Sequence, residues 1–241
     1  QMKDRARDPL QEFMDVNCHG TLNLARQAVA SKIKRFIYIS SIKVNGENTG
    51  DKTPFRFDDA HNCTDPYGIS KSEAEKGLLQ LAGQNNIELT IIRPPLVYGP
   101  GVKANFRSLI KLVSLNLPIP LGSIDNKRSF VAMDNLVSLI IKCLDHPCAA
   151  NQVFLVSDDE DVSTGKLIEI IASAHGKKPS LVNINFDLLN MVAKIIGKKD
   201  AFDRLTNNLQ VDIEHTKNTL NWKPIVSISE AIKQCVVSLK G

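Results

Sequence analysis

Cysteine, aromatic residues and long apolar runs are all scarce in this 241-residue chain. Its five cysteines (Cys18, Cys63, Cys143, Cys148, Cys235) are odd in number and form no C-x-x-C pair. That usage reads as reduced thiols in a cytoplasmic protein and excludes a disulfide framework or a zinc ribbon; no metal site is expected. No apolar run reaches the roughly 18 residues a membrane-spanning helix needs, so no membrane partner is expected. The first ten residues are polar and mixed in charge, unlike a signal peptide. An excess of one charge is lacking too: 30 Lys and Arg face 26 Asp and Glu, a net charge of +4. The basic residues are scattered among acidic ones, so nothing points to nucleic acid. The 13 glycines and 11 prolines show no period, which rules out fibrous classes. What remains is an ordinary globular balance, 43% hydrophobic and 23% charged, in a chain long enough for a full core.

Helix and strand alternate over the first two thirds. Asp8 and Pro9 open a helix running to Val29. The β-rich run Arg35–Ser41 reads as a strand buried on both faces, and Glu88–Arg93 as a second one stopped by Pro94-Pro95. Between them the sequence predicts a polar loop to about Pro66 and a helix from Tyr67 to about Asn85. This order predicts an α/β fold with a doubly wound parallel sheet. Later elements are helices over 105–115, 134–144, 163–174, 187–196 and 229–239, and a strand over 152–156. They suggest two parts: residues 1–100 belonging to the sheet domain, and residues 101–241 forming a smaller C-terminal domain, with some segments returning to the sheet. Ligands of open α/β sheets bind beyond the carboxyl ends of the strands, here after Ser41 and after Arg93.

Tyr67-Gly-Ile-Ser-Lys71 places a phenol and an ammonium one turn apart on one helix face. A phenol has a pKa near 10, and a cation beside it favours the phenolate, so the Tyr can serve as a base near neutral pH. A bare Tyr-x-x-x-Lys occurs often by chance. Ser40-Ser41 at the end of the preceding strand adds a hydroxyl at the edge where ligands bind, and the joint occurrence is improbable.

Six ordered motifs resemble those of the extended short-chain dehydrogenases/reductases, in particular the nucleotide-sugar epimerase group. They are Val16-Asn17-Cys-His-Gly20-Thr21; Ser40-Ser41-Ile-Lys-Val-Asn45-Gly46, with Asn45 where that group has Tyr; Pro66-Tyr-Gly-Ile-Ser-Lys71; Arg93-Pro-Pro-Leu-Val-Tyr-Gly-Pro-Gly101; Arg128-Ser-Phe-Val-Ala132-Met-Asp134, with Ala132 replacing His; and Leu220-Asn-Trp-Lys-Pro224. The resemblance implies NAD-dependent 4-epimerisation of a nucleotide sugar, as the glucose/galactose or the N-acetylhexosamine pair of a UDP-hexose, in a homodimer. It implies that Tyr67 is the acid/base, that Lys71 holds the nicotinamide ribose and lowers the phenol pKa, and that Ser41 bonds the sugar hydroxyl. Asn17, Ile39, Ser40, Pro94 and Pro95 would line the cofactor with Tyr67 and Lys71. Ser41, Lys43, Asn105, Arg128 and Arg204 would meet the substrate.

The group opens with a strand, a Gly-rich turn and a helix that hold the cofactor pyrophosphate. No G-x-x-G-x-x-G occurs here and residue 1 is Gln, so the chain reads as a fragment lacking that N-terminal part, inactive alone. A 4,6-dehydratase is not expected: related dehydratases carry an Asp-Glu pair where this chain has Ile42 and Lys43. The alternatives are a nucleotide-4-keto-sugar reductase using the same Ser-Tyr-Lys, a steroid-type reductase, disfavoured by the Arg128 motif, and a truncated non-catalytic interaction module.

Overall fold

The structure is a computed structural model that describes residues 8–51, 53–102 and 104–239, with only the backbone at 104 and 105. It opens on helix α1 (Pro9–Phe13), which passes through a π-helical stretch, Met14–Gly20, into α2 (Thr21–Ala30). Asp8 starts the run by accepting the Gln11 amide, and Pro9 occupies the first helical position, where a missing N–H costs nothing. Strand β1 (Arg35–Ile39), helix α3 (Pro66–Gln84) and strand β2 (Glu88–Arg93) then form one βαβ unit. Asp65 caps α3 through Gly68 N at 3.0 Å, and Pro66 follows as its first residue. The remaining elements are β3 (Leu96–Tyr98), α4 (Ala104–Ser114), β4 (Phe130–Ala132), α5 (Met133–Asp145), β5 (Gln152–Leu155), α6 (Thr164–Ala174), α7 (Phe186–Ile195), α8 (Lys199–Thr206), α9 (Glu214–Leu220) and α10 (Ile228–Ser238).

The main sheet is parallel, in the order β1-β2-β5, with Tyr38 opposite Ile91 and Ile92 opposite Phe154. Alternation along the strands sends side chains to opposite faces. Tyr38, Leu89 and Ile91 pack with Ala25, Ala74 and Leu78 under α2 and α3. Ile37, Ile39 and Ile92 face the other way, toward Leu136, Leu139 and Cys143 of α5 and toward Leu220 and Trp222. Helices therefore cover both faces, the doubly wound arrangement expected. Fully burying a residue such as Ile91 or Ile92 stabilises the fold by about 1.5–3 kcal/mol. A third cluster, built from α4, α6 and α10 around Phe106, Ile168 and Ile232, forms the C-terminal core.

A parallel pair, β3 with β4, lies at the seam between the sheet and that C-terminal core. The polar seam beneath it is fully paired. The buried Asp158 carboxylate accepts from the Tyr98 hydroxyl at 2.7 Å, from Ala132 N at 2.7 Å and from Asn135 Nδ2 at 2.7 Å. The Asn135 side-chain oxygen in turn accepts from the amides of Ile225 and Val226.

Candidate active site

The carboxyl end of β1 runs into a tight 3-10 turn, Ile42–Val44, whose first amide donates to the Pro94 carbonyl at the end of β2. The turn thus joins the two strand ends that the sequence singled out. Ser41 precedes it, with its hydroxyl accepting the Lys43 amide at 3.3 Å. Tyr67 lies in the first turn of α3 and contacts the Ser41 hydroxyl, so the expected Ser–Tyr pair is brought together across residues 42–66. Burial pushes the Tyr67 phenol above its ordinary pKa, and the Ser41 hydrogen bond and the Lys43 ammonium pull it back.

Lys71 follows one turn on. Its ammonium donates to the Ile39 carbonyl at 3.0 Å and sits 4.7 Å over the Tyr38 ring and 5.9 Å from the Tyr67 ring centre. Burial lowers its pKa, opposed by Glu75 one turn further along α3. Two ammonium groups therefore lie near the phenol, Lys71 from the next turn of α3 and Lys43 from the 3-10 turn.

The proposed cofactor-side residues gather around this point. Pro94 and Pro95 are buried beside the turn. The Ser40 hydroxyl is buried without a hydrogen-bond partner among the described residues. Lys71 commits only one of its three N–H groups to Ile39, and this leaves donors for a diol. These features fit the nicotinamide-ribose end of a dinucleotide. Asn17 lies in the π-helical stretch and donates to the Ser70 hydroxyl at 3.0 Å, which itself donates to the Tyr67 carbonyl. It braces the Tyr67 helix from behind.

Beneath α3 lies an ion pair that the sequence pattern did not reveal. Arg93, 3% exposed, reaches both oxygens of Glu75, which is fully buried, with its closest contact at 2.6 Å. The guanidinium also donates to the Asn45 side-chain oxygen at 3.0 Å and to His61 Nε2 at 2.8 Å. Arginine only donates, so Nε2 is the bare nitrogen of a neutral imidazole, and Nδ1–H faces the Ser72 hydroxyl at 2.7 Å. Burial and Arg93 both lower the His61 pKa. The Asn45 amide group closes the cage by donating to the Arg56 carbonyl at 2.8 Å, so the residue that departs from the family's Tyr has a clear structural task.

The expected substrate residues are spread more widely. Lys43 ties its ammonium to Asp65 at 2.7 Å and to Glu47 at 3.1 Å. Arg128 is partly buried and donates to the Asn207 carbonyl at 2.9 Å, and no carboxylate pairs with it among the described residues. Burial alone pulls it down to about 10. Beside it opens a cavity of about 380 Å³ lined by residues including Ser123, Asn126, Phe186, Thr206, Asn207 and Asn208. Arg204 is exposed on α8, three residues before Asn207. The Asn105 side chain lies outside the described residues.

Residues 2–157 match the NAD dependent epimerase/dehydratase family. The chain belongs to that family. It is 53% identical over 234 residues to a UDP-glucose 4-epimerase of Vibrio cholerae, which covers 97% of this chain and 71% of that one. Among solved structures it resembles a UDP-glucuronic acid 4-epimerase from Bacillus cereus in complex with NAD, with a TM-score of 0.78 at 21% identity over 99% of this chain and 72% of the other. A UDP-glucose 4-epimerase from Thermotoga maritima with UDP-glucose gives a TM-score of 0.75 at 21% identity, covering 97% and 72%. At those identities the structures establish the shared fold.

Proposed function

We propose that this protein is an NAD-dependent 4-epimerase acting on a UDP-hexose, with Ser41, Tyr67 and Lys71 as its reacting group. The observation that carries the reading is Arg128. A partly buried guanidinium without a carboxylate partner is free to meet an anion, and a diphosphate can take its fork bidentately. The open cavity beside it leaves room for the rest of a nucleotide. The high identity to a UDP-glucose 4-epimerase supports the same choice.

In this reading Tyr67 accepts the proton of the sugar C4 hydroxyl, and Ser41 bonds the same oxygen. Lys71, anchored by Ile39, holds the ribose of the cofactor, with Ser40, Pro94 and Pro95 lining that side and Asn17 bracing the Tyr67 helix. NAD, when bound, supplies the acceptor and donor of the C4 hydride. Tyr67 then returns the proton to the C4 oxygen once the sugar has presented its other face. Arg128, with Arg204 and Asn105, anchors the diphosphate away from the reacting carbon, so the sugar can turn while the substrate stays bound. A homodimer and a cytoplasmic location complete the proposal; no helix among the described residues is long and apolar enough to cross a membrane.

The test is Tyr67→Phe in the full-length protein, with UDP-glucose/UDP-galactose interconversion followed by NMR and the N-acetylated pair run alongside. Turnover is expected to fall by about 10²–10⁴-fold, the usual contribution of a general acid–base group. Activity within a fewfold of the parent, or a 4-keto-6-deoxy product, overturns the reading.

A further inference from the structure

The 3-10 turn that carries Ser41 is pressed against the first turn of the Tyr67 helix, and Gly68 makes the contact possible. A Cβ placed on Gly68 would lie 3.1 Å from the Lys43 carbonyl oxygen and 3.0 Å from the Cys63 Cβ. Lys43 works on both sides of this joint. Its amide holds the Ser41 hydroxyl, and its ammonium reaches Asp65, the cap of the Tyr67 helix. Asp65 divides its carboxylate between the two tasks, Oδ1 for the Gly68 amide and Oδ2 for Lys43. Glu47 approaches the ammonium from the other side at 3.1–3.2 Å. Three links therefore meet at one residue: two lie within the turn segment, and the bridge to Asp65 crosses to the Tyr67 helix.

We propose that Lys43 is a positioning residue: its bridge to Asp65 clamps the Ser41 turn to the Tyr67 helix and sets the distance between the hydroxyl and the phenol. The proposal rests on the reading of Ser41 and Tyr67 given above, and it moves Lys43 from the substrate to the frame of the site. Lysine suits the task because the two carboxylates would repel each other without a cation between them. The groups that face Lys43 are Asp65, Glu47 and the Tyr67 phenol. The Coulombic effects favour a phenolate through Lys43 and oppose it through Asp65, so loosening the clamp also alters the phenol's charge environment. The pair is partly solvent-exposed, 37% for the Lys43 side chain and 27% for Asp65, so its contribution to overall stability is small and its geometric role dominates.

The test is a double-mutant cycle in the full-length protein with Lys43→Met and Asp65→Asn, plus Lys43→Arg as the conservative variant. Asp65→Asn keeps an oxygen to cap Gly68 while removing the charge. Lys43→Met is expected to lower kcat at least about tenfold, since misplacements on the order of 1 Å cost up to about 10²-fold. The KM for the nucleotide sugar should stay within about twofold, and the alkaline-rising limb of the kcat profile should move to higher pH. Asp65→Asn should lower kcat likewise, the double variant should be little worse than either single one, and Lys43→Arg should recover most of the loss. A raised KM with unchanged kcat overturns the proposal in favour of a direct substrate contact, and additive losses or none overturn it in favour of a solvated ion pair. If Tyr67→Phe in the same preparation stays active, the assignment of the base fails instead, and the thermal-shift coupling between Lys43→Met and Asp65→Asn still reports whether the clamp exists.

Discussion

Two carboxylates are buried among the described residues, and they are satisfied in opposite ways. Glu75, on the buried face of α3, is neutralised by a full charge, the Arg93 guanidinium, within a cage completed by His61 and Asn45. Asp158, at the seam beneath β3 and β4, has no cation; a phenol, an amide group and a backbone N–H bind it instead. Its pKa is raised by burial and only partly restored by those donors. The comparison separates two uses of a buried anion. The charged pair is costly to break because either half alone is an uncompensated charge in an apolar surround. The dipole-bound anion would lose little by becoming neutral, because its partners are neutral already.

Four substitutions or conditions, measured as urea-unfolding free energies of the full-length protein, sharpen or break that contrast. Glu75→Ala strands Arg93 and should cost about 3–5 kcal/mol. Tyr98→Phe removes one donor from Asp158 and should cost about 1–3 kcal/mol. Lowering the pH acts on the charged cage next. The folded-state pKa of His61 lies below its unfolded value, so below about pH 6.5 the unfolded chain takes up the proton first. Stability should therefore be flat above that pH and fall as the pH drops through the window down to the folded pKa, and His61→Gln should remove this part of the slope. The smallest effect is expected from Asp158→Asn. The side-chain oxygen keeps Ala132 N and Asn135, the new amide donates to the Tyr98 oxygen, and the change should stay within about 1 kcal/mol. An Asp158→Asn loss as large as that of Glu75→Ala would show that the seam depends on charge after all.

The long, strongly patterned elements were legible in the sequence. Arg35–Ile39, Glu88–Arg93 and α3 lie within a residue or two of the expected strand, strand and helix, with α3 opening at Pro66 instead of Tyr67. The pairs β3 and β4 were not legible, because three residues are too few for a period and their pairing joins segments far apart. Helix α8 is absent from the expected helices, and its sequence Lys-Asp-Ala-Phe-Asp-Arg-Leu-Thr offers one buried residue, Phe202. The π-helical stretch around Asn17 has no mark in the apolar spacing, which runs on from α1 into α2. In the site, Ser41, Tyr67 and Lys71 were visible because their spacing is chemical. The Arg93–Glu75 pair was hidden: Glu75 sits among Lys71, Glu73 and Lys76 like any solvated helix charge, and its partner comes from the next strand. Lys43 was visible as a residue but not as a bridge, since Asp65 lies 22 positions away.

The placement of β1, α3 and β2 divides the proposed roles along the chain. Ser41, Tyr67, Lys71, the clamp at Lys43 and Asp65, and the Arg93–Glu75 cage all fall between Arg35 and Arg93, in a single crossover unit. Arg128, the cavity beside it and most of the residues that line it come from later in the chain. On the proposed reading, the proton chemistry and most of the ligand-anchoring residues therefore fall in different stretches of sequence, with Asn48, Gly50 and Asp51 of the first stretch also lining the cavity. On that reading, substitutions in the second stretch are expected to change ligand binding while leaving Ser41 and Tyr67 in place.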